Sequence, residues 1–137
     1  MTNEELNSVR DLQSRARDLK RHVDELRMSV ENLVSLLDGM PHAKQLKSRV
    51  ESLTLKIVEE ERELEALREE ILIAKSQLTE LILNATDKPT VQTLLILRYV
   101  ECLSFKETAR RMKYGLRHIF KLHEKFLKWH IAAQIEV

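Results

Sequence analysis

Apolar residues recur in a strict heptad from Asn3 to Asp38. One set of heptad positions holds Val9, Ala16, Val23, Val30 and Leu37, and the other holds Leu12, Leu19, Leu26 and Leu33. This alternating spacing of three and four residues predicts an amphipathic helix with a coiled-coil seam. β-Branched residues in the first set, with Leu in the second, favour two-stranded association and therefore indicate a dimer.

A second apolar seam follows a short break after residue 38. Its members are Leu46, Val50, Leu53, Ile57, Leu64, Leu67, Ile71, Ala74, Leu78 and Leu81. Gly39 fits a left-handed C-cap and Pro41 is suited to open the next helix. Because the connection is so short, the two helices are predicted to form an antiparallel hairpin.

Two features of the second seam leave alternatives open. Glu60 interrupts it at a core position. Either its flexible side chain reaches solvent, which is the interpretation we favour, or its charge sets the register of the helices. Further apolar residues lie off the seam, namely Leu55, Val58, Leu72, Ile73, Ile82 and Leu83. An apolar surface this wide requires another layer, and we expect a homodimer with a four-helix bundle as its core.

A boundary between two domains is expected at Asn84–Pro89. Thr86 or Asp87 is suited to cap a new helix that has Pro89 in its first turn. This third helix is predicted over Lys88–Cys102, with Arg98 and Tyr99 at its rim. The fold class is therefore all-α, with a long coiled-coil hairpin over residues 1–85 and a C-terminal three-helix module over residues 86–137.

The segment from Ser104 to Trp129 has the pattern of a helix-turn-helix. Ser104 and Glu107 match the capping box S-x-x-E, and Gly115 lies where the turn needs a left-handed residue or an N-cap. Thr108, Ala109 and Met112 are predicted to face inward from the first helix. Ile119, Leu122 and Phe126, with Trp129 as a further candidate, are predicted to form the buried stripe of the second helix.

The charge distribution indicates that the C-terminal module binds nucleic acid. Residues 88–137 carry ten basic and four acidic side chains, a net charge of +6, whereas residues 1–87 carry 13 basic and 18 acidic. Candidates for reading base edges are Leu116, Arg117, His118, Phe120 and Lys121. Candidates for contacting phosphates are Ser104, Lys106, Arg110, Lys113, Tyr114 and Lys125. The pattern also fits an ordinary solvated basic helix, but the combined capping, turn and charge signals favour double-stranded DNA.

The run RYVECLSFKETARRMKYGLRHIFKLHEKFLK resembles region 4 of sigma-70-type factors. More closely, it resembles the phage-encoded transcriptional regulators of the RinA and ArpU type, and the likeness extends upstream through LLDGMPHAKQLKSRVESLTLKIVEEE. The resemblance implies a promoter-binding regulator of late or lysis genes in a phage or prophage. Two departures are Cys102, where that family usually has Gly, and Gly115, where it usually has Ser.

Other function classes receive no support from the residues. We find no phosphate-binding loop, nucleophile elbow or metal-ligand spacing, so we expect no enzyme, cofactor or metal site. The single cysteine and the absence of a long apolar run favour a cytoplasmic protein with no membrane partner. The alternative to DNA binding is a protein-interaction adaptor that docks on RNA polymerase or another helical partner.

Overall fold

The computed structural model describes residues 1–40 and 42–131, and within these ranges it contains helices and no strand. The helices are α1 (Asn3–Leu6), α2 (Ser8–Gly39), α3 (Lys44–Ala85), α4 (Pro89–Leu95), α5 (Phe105–Met112) and α6 (Leu116–Phe126). Helix α4 continues as a π-helical turn over Ile96–Val100, and α6 as another over Leu127–Ile131. The predicted class, an all-α hairpin followed by a helix-turn-helix module, is confirmed.

Contacts between residues divide the chain into two compact units. One consists of Gln13–Glu70, which contains most of the hairpin. The other combines Met1–Leu12 with the chain from Ile71 onwards, and so joins the first residues to the helix-turn-helix module. The division cuts through α2 and α3, so each of these helices contributes residues to both units.

In the unit Gln13–Glu70, α2 and α3 run antiparallel and pack along the predicted seams. Val23, Leu64 and Leu67 are each less than 10% exposed. Arg27 forms a salt bridge with Glu61 across the pair. The burial pattern follows the heptad because residues three and four apart share one face of a helix.

Glu60 differs from the reading that we favoured, because it does not extend into solvent. Its carboxylate oxygen Oε2 lies 2.7 Å from Nδ1 of His22 on the opposite helix. The side chain of Glu60 is only 15% exposed. A charged group at a core position of a coiled coil needs such a partner, since burying a carboxylate without a hydrogen-bond partner is strongly unfavourable. The pair is consistent with the alternative reading, in which this position sets the register of the hairpin.

The other unit has a core that joins the first turns of the chain to the C-terminal helices. Its buried members are Leu6, Val9, Leu78, Ile82, Val91, Leu95, Tyr99, Val100 and Phe126. Ile82 is fully buried whereas Leu81, the predicted seam residue, is 39% exposed. An undistorted α-helix drifts by about 20° per heptad, so the core-facing position has moved by one residue at the end of α3.

Several helix ends differ from the predicted caps. Gly39 is the last residue of α2 and does not adopt a positive φ. Pro41 lies outside the described residues, and α3 begins at Lys44. Lys88 is the N-cap of α4, with Pro89 at its first position and no capping side chain, so neither Thr86 nor Asp87 caps this helix.

Tyr99 and Trp129 are also placed differently from the prediction. Tyr99 is 6% exposed rather than at the rim, and Trp129 is 67% exposed rather than in the buried stripe. Both residues lie in π-helical turns, where the hydrogen bonds span five residues instead of four. The wider turn rotates the following side chains relative to an α-helix, so the 3.6-residue period misplaces them.

Candidate nucleic-acid interface

Helix α5 begins and ends with well-defined caps. The Ser104 hydroxyl accepts a hydrogen bond from the Glu107 amide at 3.1 Å, which is one half of the predicted capping box. The Glu107 carboxylate pairs with Arg110 and not with the Ser104 amide. At the other end Lys113 adopts the left-handed conformation, with φ of 60° and ψ of 36°. The Tyr114 amide donates to the Ala109 carbonyl at 3.1 Å, and the Lys113 amide to the Arg110 carbonyl at 3.2 Å. These two bonds form a Schellman motif, which reverses the chain sharply.

Gly115 is the N-cap of α6. Its φ of −67° and ψ of 146° are extended, and no side chain caps the helix. The left-handed residue of the turn is therefore Lys113, and Gly115 fulfils the other role that we considered for it. The turn places the first residues of α6 at the surface, because the chain enters the helix directly from an exposed loop.

A small apolar core fixes the angle between the helices of the module. Leu94 of α4, Ala109 of α5 and Ile119 of α6 are buried against each other. Phe105, Met112 and Leu122 pack around this group. The small side chain of Ala109 lets α5 and α6 approach closely, as predicted. Thr108 is also fully buried, and its hydroxyl donates to the Ser104 carbonyl at 2.8 Å.

A second, polar group of contacts holds α6 on the π-helical end of α4. The Tyr99 hydroxyl is hydrogen-bonded to Nε2 of His123, and the two rings stack with centroids 5.6 Å apart. Phe105 meets His123 edge-on at 4.8 Å. The Arg98 guanidinium lies 4.5 Å from the centroid of Phe105 and donates from Nη1 to the Leu103 carbonyl at 3.0 Å. His123 is thus enclosed by groups from the π-helical extension of α4 and from α5.

The pKa values of His123 and Tyr99 are shifted in this polar group. Burial lowers the pKa of His123, and the Arg98 cation lowers it further. Burial raises the pKa of Tyr99, against smaller opposing effects of Arg98 and Arg10. Both shifts favour the uncharged forms of the two side chains. The junction is therefore a neutral hydrogen bond at physiological pH, next to one half-buried cation.

The five base-reading candidates all lie on the exposed part of α6. Arg117, His118 and Lys121 are exposed, and Leu116 and Phe120 are 40% and 46% exposed. Phe120 also contacts Phe105 of α5, with ring centroids 4.9 Å apart. The structure therefore brings these five residues together on one helix. Arg117 and Lys121 lie opposite the buried Ile119, whereas Leu116 and Phe120 lie at the edge of the buried face.

The phosphate candidates lie on α5, in the turn and further along α6. Ser104, Lys106, Arg110, Lys113, Tyr114 and Lys125 are all exposed. Arg110 is engaged by Glu107, since its Nη2 lies 2.6 Å from Oε1 of that carboxylate. Tyr114 packs edge-on against His118 at 5.1 Å. Most of the cationic candidates thus surround the exposed face of α6, whereas Arg110 is already paired.

Two cations that the sequence analysis left out belong to the same region. Lys128 is exposed and lies in the π-helical turn that follows α6. Arg111 is exposed and lies 3.7 Å from the Glu107 carboxylate. The signal for both pairs was the spacing, since Arg110 and Arg111 lie three and four residues after Glu107 on one helix.

Comparison of the chain with protein-family models, curated proteins and solved structures gave no match. Among residues 1–40 and 42–131, no helix is long and apolar enough to cross a membrane. No group of three or more His, Cys, Asp or Glu side chains in the same ranges is arranged to hold a metal ion. The assignment of a function therefore rests on the exposed surface of the helix-turn-helix.

Proposed function

We propose that this protein binds double-stranded DNA, with α6 in the major groove, and regulates transcription. The observation that carries the proposal is the cationic ridge of α6, formed by Arg117 and Lys121. These exposed side chains lie opposite the buried Ile119 and Phe126. A helix with one face fixed in a core and the other exposed and basic has the arrangement that groove recognition requires.

The ridge is suited to base edges because of its position and rigidity. Arg117 and Lys121 are separated by one helical turn in the first half of α6, the part of a recognition helix that reaches the bases. Both residue types favour the acceptors of guanine, while the exposed parts of Leu116 and Phe120 suit the methyl group of thymine. The His123 junction and the Ile119 core hold the helix, so little conformational entropy is lost on binding.

Cations around the ridge support contacts to the phosphates. Lys106 of α5, Lys113 of the turn and Lys125 of α6 are exposed. Each phosphate that a cation neutralises contributes about −0.9 to the slope of log K against log salt. With Arg110 released from Glu107, four cationic contacts for each module give a slope of about −3.6, and two modules about −7.

We further propose that the protein acts as a homodimer. Exposed apolar side chains in the unit Gln13–Glu70 support this, since Met28 and Leu55 are 65% and 67% exposed. Large apolar residues at such exposure are typical of surfaces that pack against another chain. Light scattering at micromolar concentration should give twice the mass of the chain. A monomeric mass would reject the dimer without affecting the proposal of DNA binding.

The resemblance of the segment from Arg98 to Lys128 to the RinA and ArpU regulators supports a more specific role. We propose that the regulated genes are late genes of a phage or prophage. Enrichment of phage late promoters among genomic fragments bound by the purified chain would support this role. Enrichment of unrelated host fragments would reject it while leaving the binding activity intact.

Selection of duplexes from a random pool tests the central proposal. The purified chain should enrich one motif, and Arg117→Ala and Lys121→Ala should each relax the preference at particular positions, by about 1–3 kcal/mol per lost contact. Lys125→Ala should weaken binding to all duplexes and flatten the salt slope by about 0.9. Lys56→Ala, which removes an exposed lysine from α3 instead, is the matched control and should change neither quantity.

Absence of any enriched motif, together with equal effects of Lys125→Ala and Lys56→Ala, would reject DNA binding. Copurification with RNA polymerase at a salt concentration that abolishes DNA binding would then favour the adaptor function.

A further inference from the structure

A surface cleft lies beside the C-terminal half of α6, away from the base-reading candidates. Its volume is about 560 Å³. One side is formed by the end of α3 and the connection to α4, and the other by α6 and its π-helical extension. The lining residues are Asn84, Ala85, Thr86, Asp87, Lys88, Val91, Leu122, Lys125, Phe126, Trp129 and His130.

The interior of the cleft is apolar and aromatic. Val91, Leu122 and Phe126 are buried or half-buried at its base. His130 stacks on Phe126, with ring centroids 4.7 Å apart and planes inclined by 24°. Trp129 is 67% exposed and provides an unoccupied indole surface. Stacked and exposed aromatic groups of this kind bind planar apolar ligands, because each ring face gives a large contact area.

The rim of the cleft is cationic. Lys88 and Lys125 are exposed and line opposite sides of it, and Asp87 is the one carboxylate among the lining residues. Two ammonium groups against one carboxylate leave a positive balance at the entrance. A ligand with an apolar body and a single negative charge would match both the interior and the rim.

We propose that this cleft binds a small aromatic or apolar anion, such as an aryl carboxylate or sulfonate. The volume lies within the range of about 300–1,000 Å³ that is usual for small-molecule sites. A partner helix would instead require a long groove with anchors at successive turns. The bound anion bridges α6 to the connection between α3 and α4, and so contacts two elements of the module at once.

Binding in the cleft also opposes the binding of DNA, and this part rests on the proposed function. Lys125 lines the cleft and is also a phosphate candidate, so a bound anion competes with DNA for the same ammonium group. The two ligands therefore lower each other's affinity, as thermodynamic linkage requires. The protein would release DNA when the anion accumulates.

The fluorescent probe 8-anilinonaphthalene-1-sulfonate, an aromatic monoanion, tests the site directly. Trp129 is the single tryptophan of the chain and lines the cleft, so energy transfer from it reports a probe bound in this module. The Lys88→Glu variant then distinguishes the cleft from other apolar patches. We expect one probe per chain, with efficient transfer. Lys88→Glu should weaken this binding at least fivefold, because it reverses one charge at the rim.

Lys128→Glu is the matched control, since it makes the same charge change on α6 but does not line the cleft. It should change probe affinity less than twofold. N-Phenyl-1-naphthylamine, an uncharged analogue, should bind more weakly than the sulfonate and should be insensitive to Lys88→Glu. Absence of energy transfer, or equal effects of Lys88→Glu and Lys128→Glu on the sulfonate, would overturn the proposal.

The link to DNA is measured separately. A saturating concentration of the sulfonate should lower the affinity for a selected duplex at least threefold, and Lys88→Glu should shift this effect to at least fivefold higher sulfonate concentrations. Probe binding with no change in DNA affinity would overturn the competition while the cleft remains a ligand site. If no duplex binds at all, the proposed function fails, and the probe measurement still decides whether the site exists.

Discussion

The hydrogen bond between Tyr99 and His123 offers the sharpest test of how the module holds α6. Tyr99→Phe removes only the hydroxyl and leaves the buried ring, so packing against His123 is retained. Nε2 of His123 then loses its partner at the junction of α4 and α6. The variant isolates the polar contact from the apolar core around Ile119.

The expected cost follows from the surroundings of the two groups. A hydrogen bond contributes about 0.5–1.5 kcal/mol net, and leaving a buried partner unsatisfied costs about 1–3 kcal/mol. Tyr99 is buried, but His123 is only half-buried, so water partly replaces the lost hydroxyl. We therefore expect Tyr99→Phe to lower the free energy of unfolding by about 1–2 kcal/mol.

Urea unfolding followed by the fluorescence of Trp129 measures this loss in the same module. With an m-value of about 2 kcal/mol/M, the midpoint should fall by about 0.5–1 M at unchanged m. Tyr114→Phe is the matched control, because Tyr114 is the other tyrosine of the chain and is 42% exposed. It should cost less than about 0.5 kcal/mol. Equal effects of the two substitutions would refute the assigned role of the junction.

Three further predictions concern the same module. Because the pKa of His123 is lowered in the folded protein, the unfolded chain takes up a proton at this histidine at a higher pH than the folded chain does. His123 therefore stabilises the fold fully above about pH 6.5 and progressively less below it. The stability advantage of the native chain over His123→Gln should accordingly shrink between pH 7.5 and 5.5 in urea titrations. A constant difference between the two proteins would contradict the lowered pKa. Gly115→Ser should raise the free energy of unfolding by about 0.5–1 kcal/mol. The backbone is extended at Gly115, no atom lies within 4 Å of the added Cβ, and the serine hydroxyl can cap α6. The melting temperature of Gly115→Ser should exceed that of Gly115→Ala, and the reverse order would reject the cap. Lys113→Gly should raise the free energy of unfolding by about 0.5–1 kcal/mol, because glycine adopts the left-handed conformation of this position without strain. The same change should weaken DNA binding, because it removes a cation. Destabilisation of the variant in calorimetry would contradict the strain.

The parts of the fold that could be predicted are those in which one period of hydrophobic residues decides the packing. The seam through Val23 and Leu64 and the inward stripe of Ile119 and Phe126 are buried as expected. Ser104 caps α5 because the capping motif is local and spans only four residues. Regular helices with local caps are therefore readable from the sequence.

The misplaced residues depend on geometry that the period does not contain. Tyr99 and Trp129 lie in π-helical turns, whose extra residue rotates side chains out of the α-helical pattern. Glu60 became half-buried because His22, 38 positions away, supplies a partner for its carboxylate. Predicting such a pair requires the relative register of the two helices, and the hydrophobic pattern of one helix does not contain it.

The candidate interface was predictable in part for the same reason. The positions of Arg117 and Lys121 follow from the helical period once the buried stripe is known. The engagement of Arg110 by Glu107 depends on side-chain conformation. The cleft beside Trp129 depends on the π-helical end of α6 and on the connection to α4, so no sequence motif predicts it.

The most direct test of the central claim is to record amide and side-chain NMR spectra of the isotope-labelled protein while a selected duplex is added. We predict that the largest shifts fall on Arg117 and Lys121, that the phosphate candidates follow, and that the buried Ile119 moves little. Shifts confined to residues 13–70, or absent from α6, would contradict the claim that this helix reads DNA.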